Sequence, residues 1–245
     1  MKKILIIIVV LVIAGFIFSV SRESKPIVDI PTIPETQTQP TALCYYRSDK
    51  TASGLYDRAW IRLMLQGTAV TGEFNNYPAE KDSKVGSFTG TVSALDQMSM
   101  SRTASVVWNT KAEGMEAKEE LLILFGDGSA QAAFGEMVQG ANGVYVYKDK
   151  TAVTYQGNLS QIDCGALDEI LAVETYVRAT DLQALTKASP VLGGRLFVAS
   201  VVVNPSAHTA LITYEDGHIA GKGALVYSYD QTTKKVTVNS FTKAQ

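Results

Sequence analysis

Apolar and polar residues alternate one by one through much of the first half of this chain. The stretches AWIRLMLQ (59–66), VTGEF (70–74), VGSFTGTV (85–92), TASVVW (103–108) and VYVYKDKTAVTY (144–155) all keep a period of two. That period marks strands with one face in a core and the other toward solvent. Asp127-Gly128 separates EELLILFG from SAQAAFGEMV, and Asn142-Gly143 precedes VYVY. Both dipeptides tolerate the positive φ angles of tight hairpin turns. A two-residue turn at Asp127-Gly128 sets Ile123 opposite Ala132, Phe125 opposite Ala130 and Leu121 opposite Phe134, large residues mostly against small ones. About seven or eight short antiparallel strands over residues 42–164 imply a closed barrel or a sandwich. The pattern does not choose between them, and a barrel is the preferred expectation.

After Cys164 the period changes. LDEILAVETYVRATDLQALTK (167–187) sets Leu167, Ile170, Leu171, Val173 and Val177 at helical spacing, with Asp168 as a candidate cap. A helix pair is predicted, ended by Pro190 and Gly193-Gly194. Alternating runs follow in RLFVASVVVN, TALITYE, HIAGKGALVYSY and KVTVNSF. The fold class is therefore mainly β with a smaller α+β unit, residues 165–245, in which the helix pair packs on an antiparallel meander.

The amino end has another character. Residues 4–20, ILIIIVVLVIAGFIFSV, carry no charge over seventeen positions, close to the length that spans a bilayer as a helix. Residues 1–21 read as a retained transmembrane anchor or as a cleaved signal segment, with Ser19 and Ser21 as small residues near a cleavage site. The apolar run is longer than a usual signal core, which favours the anchor. Residues 22–41 hold four of the seven prolines among Thr, Gln and Glu, a composition that favours extended, solvated backbone. This linker reaches about 60 Å at roughly 3.1 Å per residue.

Two cysteines, Cys44 and Cys164, bracket the strand-rich half of the chain. A disulfide between them would clasp residues 42–164 and would need an oxidising compartment, whereas two unrelated buried thiols would say nothing about location. Linker and clasp together place the folded region outside the cytoplasm, periplasmic or at the cell surface, and secreted if the amino-terminal segment is removed. Without the two leading lysines, 20 basic residues face 24 acidic ones. A nucleic-acid partner, which asks for a concentrated basic stripe, is not expected.

Candidate chemistry is sparse. No G-x-S-x-G, P-loop, dinucleotide, zincin or EF-hand pattern occurs, so no cofactor, metal or catalytic residue is assigned. SFTK (240–243) matches S-x-x-K but falls in an expected strand, where positions three apart face opposite sides. The carboxylates of KAEGMEAKEE (111–120) read as a solvated loop between strands. In ITYEDGHIAGKG (212–223), Asp216-Gly217 reads as a two-residue hairpin turn that sets Glu215 against His218. His208 then falls seven residues up the partner strand, about 23 Å away at roughly 3.3 Å per residue, too far to share a metal with His218. What remains is aromatic. Trp60 shares a strand face with Arg62, and Tyr145 shares one with Tyr147. In a barrel, Trp60 and Arg62 could line a cavity mouth suited to a sugar, a peptide or an amphipathic ligand. The plainer reading is sheet packing with a snorkelling arginine.

YDRAWIRLMLQGTAVTGEF, AEKDSKVGSFTGTV, GVYVYKDK and YEDGHIAGK resemble stretches of uncharacterised, membrane-anchored, exported bacterial proteins. The resemblance spans most of residues 44–243. It implies an exported envelope protein and brings no activity and no functional residues. The expected function is a non-enzymatic, membrane-tethered binding or interaction module of the cell envelope. The alternatives are a hydrolase of envelope polymers using carboxylates such as Glu113 or Glu136, and a structural subunit of an envelope complex.

Overall fold

The structure, a computed structural model, describes residues 39–191 and 194–244. They belong to one compact unit. The apolar segment 4–20 and nearly all of the linker lie outside the described residues. Among the described residues, no helix is long and apolar enough to cross a membrane.

Ten strands form the first sheet. They are β1 (Thr41–Lys50), β2 (Tyr56–Gln66), β3 (Ala69–Tyr77), β4 (Lys84–Val92), β5 (Ser101–Ala112), β6 (Met115–Gly126), β7 (Ser129–Phe134), β8 (Met137–Gln139), β9 (Val144–Tyr147) and β10 (Thr154–Ile162). Each of β1 to β7 pairs with its neighbour in sequence, and β10 lies between β7 and β1, so eight antiparallel strands close on themselves. Closure leaves the barrel with no open edge. The hairpin β8–β9 stands outside the ring and touches it through a short parallel pairing of Lys118 and Glu119 with Val144 and Tyr145.

Alternation sorts the residues as the pleat requires. Tyr45, Ile61, Leu63, Phe74, Phe88, Trp108, Leu121, Ile123 and Leu159 fill the interior. An eight-stranded barrel is just wide enough for side chains to fill it or for one small ligand to enter. Asp127 and Gly128 both adopt positive φ, and the register beyond them sets Ile123 against Ala132 and Phe125 against Ala130, as expected. The expected pair Leu121 and Phe134 falls outside the β6–β7 ladder, which ends at Ile123 and Ala132.

Three further expectations are corrected here. The run 111–120 is no loop. Glu113 and Gly114 make a tight turn with positive φ, and the rest of the run extends β5 and β6. SAQAAFGEMV and VYVYKDKTAVTY are each broken into two strands, at Gly135-Glu136 and at residues 148–153, where the chain leaves the ring after β7 for the β8–β9 hairpin and returns to it in β10. The hairpin at Asp216-Gly217 is longer than a two-residue turn: Glu215 pairs with Ala220, not with His218. Asp216 accounts for the difference. Its carboxylate accepts from the backbone N–H of His218, Ile219 and Val191, which stabilises a four-residue loop.

Helix α1 (Cys164–Ala179) and the short α2 (Leu182–Thr186) follow the barrel. Asp163, not Asp168, caps α1 by accepting from the Ala166 N–H, because the helix begins three residues earlier than its apolar period suggests. Four antiparallel strands complete the chain in the order of sequence: β11 (Phe197–Asn204), β12 (Thr209–Glu215), β13 (Ala220–Asp230) and β14 (Lys235–Lys243). Ile170, Val173 and Val177 of α1 pack with Val201, Ile212, Leu225 and Tyr227 of this sheet in a second core. The other face of α1 meets the barrel wall, where Leu167 packs with Cys44 and Trp60.

Candidate functional site

Cys44 and Cys164 form a disulfide, with a Cα separation of 5.2 Å. It joins β1 to the first turn of α1. A bond of this kind persists in an oxidising compartment, outside the cytoplasm.

Trp60 and Arg62 lie on the outer wall of the barrel, not at its mouth. Ala59, Ile61 and Leu63 point inward, so the pleat turns their neighbours outward under α1. Trp60 is buried against Leu167, and Arg62 pairs with Asp168. Asp168 also accepts from Lys234 Nζ at 2.6 Å, in the turn between β13 and β14. Burial would raise the Asp168 pKa, but the hydrogen bonds from Lys234 and Arg62 outweigh it and hold the carboxyl below its ordinary value. Nearby, Arg58 of β2 pairs with Glu174 of α1 and stacks over the Tyr77 ring at 5.3 Å. The polar side chains on this wall join barrel to helix.

The barrel mouth is built elsewhere. Strand pairing sets Arg47, Ala59, Asn76 and Lys84 directly opposite one another across β1 to β4. Phe88, Trp108 and Glu119 form a corresponding row across β4 to β6. Facing positions on β7 and β10 are Ala132 and Gln156, after which a β-bulge interrupts the register. Gly157 within that bulge has φ of +69°, open to glycine at no steric cost.

The mouth holds two adjoining hollows. The larger, of about 420 Å³, lies between Arg47, Ala59, Phe74, Asn76, Ala132 and Gly157, with Asp57, Glu80 and Lys81 at its rim. The smaller, of about 160 Å³, lies among Trp108, Leu121, Ala133, Met137 and Tyr147. Phe74, Asn76 and Phe134 border both. Small residues make the space: alanines at positions 59 and 132 leave the width that large side chains fill deeper in the barrel. Phe74 and Trp108 rings sit 5.0 Å apart.

Most charges at the mouth are paired. Lys84 donates to Glu119 at 2.5 Å and lies 5.4 Å over the Trp108 ring. Asp57 accepts from the Ala79 N–H, and Glu120 accepts from Lys150. Arg47 is different. Its buried Nε faces the Asp49 carboxylate at 3.6 Å, an ion pair too long for a hydrogen bond, and its Nη nitrogens lie beside Gly157.

Of the remaining expected site residues, Tyr147 lines the smaller hollow and donates from its hydroxyl to the Ala133 carbonyl at 2.8 Å. Tyr145, two residues before it on β9, is exposed. Glu113 sits in the β5–β6 turn and Glu136 pairs with Lys148, so they are not brought together as an acid and base. SFTK lies in β14, and Lys243 donates to the Lys187 carbonyl.

A second cluster went unnoticed in the sequence because its members are far apart along the chain. Glu169 of α1 is buried, and its Oε1 accepts from the Tyr227 hydroxyl at 2.7 Å and lies 2.9 Å from His208 Nδ1. His208 remains half exposed.

No protein-family model, curated protein or solved structure matches this chain.

Proposed function

We propose that the protein is a membrane-tethered module of the cell envelope that holds a small ligand in the mouth of its barrel. The observation that carries this reading is the hollow of about 420 Å³ opened by Ala59, Ala132 and the Gly157 bulge, with the Nη end of Arg47 beside Gly157 in its lining. Its volume falls in the range of small-molecule sites, and its lining joins aromatic surface to a few convergent polar groups. A sugar, a peptide or an amphipathic molecule would meet both. Among the residues named from the sequence, Tyr147 lines the smaller, adjoining hollow, and Tyr145 lines neither. Trp60 and Arg62 support it indirectly by seating α1 on the wall. The disulfide and the apolar segment 4–20 support an extracytoplasmic, anchored location.

The test is NMR of the isotope-labelled, oxidised full-length chain against a mixture of small sugars, peptides and amphipathic acids. Shifts are expected at Asn76, Phe134, Gln156 and Gly157, and they should vanish in Ala59→Leu, which fills the hollow. Shifts elsewhere, or none, would overturn the reading.

Hydrolysis of envelope polymers keeps one supporting feature, the His208 imidazole held by a buried carboxylate, an arrangement that orients a general base. Turnover of peptidoglycan by the purified chain, lost in His208→Ala, is the result this alternative requires.

A further inference from the structure

The two hollows differ in how their charges are disposed, and that difference identifies a ligand class. In the smaller one, the Lys84 and Glu119 charges satisfy each other, and the remaining surface is largely apolar. In the larger one, the Arg47 Nε is turned toward Asp49, while its two Nη nitrogens lie beside Gly157 at the wall of the hollow and make no hydrogen bond to any described residue. The guanidinium fork matches a carboxylate in a planar, two-bonded contact. Asp49 does not fill this role, since it is largely exposed and too far for a hydrogen bond. Asp57, the acidic group nearest in sequence on the facing strand, is occupied by the Ala79 N–H.

We propose that the two hollows together take a short amphipathic carboxylate, with its acid group on the Arg47 guanidinium and its apolar body against Phe74, Trp108 and Leu121. The inference rests on the mouth being a binding site. At roughly 30 Å³ per water-sized group, the smaller hollow accepts about five such groups, a single ring or a short chain and not a long acyl tail. Two sources carry this chemistry: a free organic acid and the carboxyl-terminal residue of a peptide with an apolar side chain.

The test uses calorimetric titration of the oxidised full-length chain with 3-phenylpropionate and with its neutral amide. A tripeptide ending in phenylalanine is compared with its carboxyl-terminal amide in the same way. The acid is expected to bind at least tenfold more tightly than the amide, and Arg47→Gln should abolish that preference. Arg47→Lys, which keeps the charge without the fork, should retain part of it, and thermal unfolding of each variant shows whether the barrel stands. Preference for the free acid or for the free-carboxyl tripeptide separates the two sources. Equal binding of acid and amide at the mouth would overturn the carboxylate assignment and leave the binding site itself intact. No binding of either, together with no NMR response at the mouth to the broader mixture, would overturn both.

Discussion

Arg58 and Glu174 form an ion pair sealed between the barrel wall and helix α1, with only about a tenth of either side chain exposed (10% and 12%). Water can stabilise neither charge there, so each depends on the other. Replacing Glu174 by alanine is expected to destabilise the protein by about 3–5 kcal/mol, because the arginine stays buried without its partner. The double change Arg58→Met with Glu174→Leu should recover most of that loss. Urea unfolding of the two variants checks this, and a double variant no more stable than Glu174→Ala would contradict it.

The disulfide acts on the same junction by another route. It closes a loop with a sequence separation of 120 residues. In the chain-entropy account, a loop of that length contributes about 4–5 kcal/mol by restricting the unfolded chain. Reduction, or the pair of changes Cys44→Ser and Cys164→Ser, is expected to lower the urea midpoint accordingly. A midpoint that does not move on reduction would show that the bridge constrains little in the unfolded state.

How far the sequence revealed this architecture depends on the range of the signals. Period-two alternation and Asp127-Gly128 are local, and they placed most strands and one register to the residue. The alternation also separated Ala59, Ile61 and Leu63 from Trp60 and Arg62, but it could not say which face looks into the barrel mouth and which toward a helix a hundred residues later. Asp216 misled for a related reason: its side chain captures three backbone N–H groups, one of them at Val191, and a dipeptide rule sees only the neighbours. Arg47 carried no local signal at all. Its guanidinium lies beside Gly157 in a bulge on β10, more than a hundred residues away.

Burial pushes the phenols of Tyr45, Tyr46 and Tyr147 up to about 12 from an ordinary value of 10.0. Tyr227 is raised further, by burial and then by its hydrogen bond to Glu169. In the unfolded chain these groups ionise near 10, before they do so in the fold. The stability they carry is therefore complete below pH 10 and is lost as the pH rises through about 12. Absorbance titration at alkaline pH should show part of the tyrosine signal delayed and released together with unfolding. Ionisation of all eleven tyrosines near 10, with circular dichroism unchanged, would contradict this.

The cluster of Glu169, Tyr227 and His208 should rank its members by burial. Glu169→Ala leaves the buried Tyr227 hydroxyl without an acceptor, an expected cost of about 1–3 kcal/mol. His208 is half exposed, so the contribution of its contact with Glu169 is expected to be about 0–1 kcal/mol in His208→Ala. Urea unfolding of both variants near neutral pH gives the order, and a larger loss for His208→Ala would mean that the imidazole holds the β11–β12 connection in place by more than this one contact.

Gly157 joins fold to site most directly. Its φ of +69° disfavours any residue with a Cβ, and an added Cβ would lie 3.4 Å from Arg47 Nη1. A left-handed backbone costs an ordinary residue about 1–2 kcal/mol. Gly157→Val should therefore lose at least that much stability, and its methyl groups should press on the guanidinium and narrow the larger hollow. Gly128→Ala supplies the comparison, since it shares a positive φ of +75° with nothing within 4 Å of an added Cβ. Backbone strain alone would destabilise both variants while leaving the Arg47 Nε–H resonance unchanged. A shift of that resonance in Gly157→Val and not in Gly128→Ala would show that the bulge exists to make room for the arginine at the mouth.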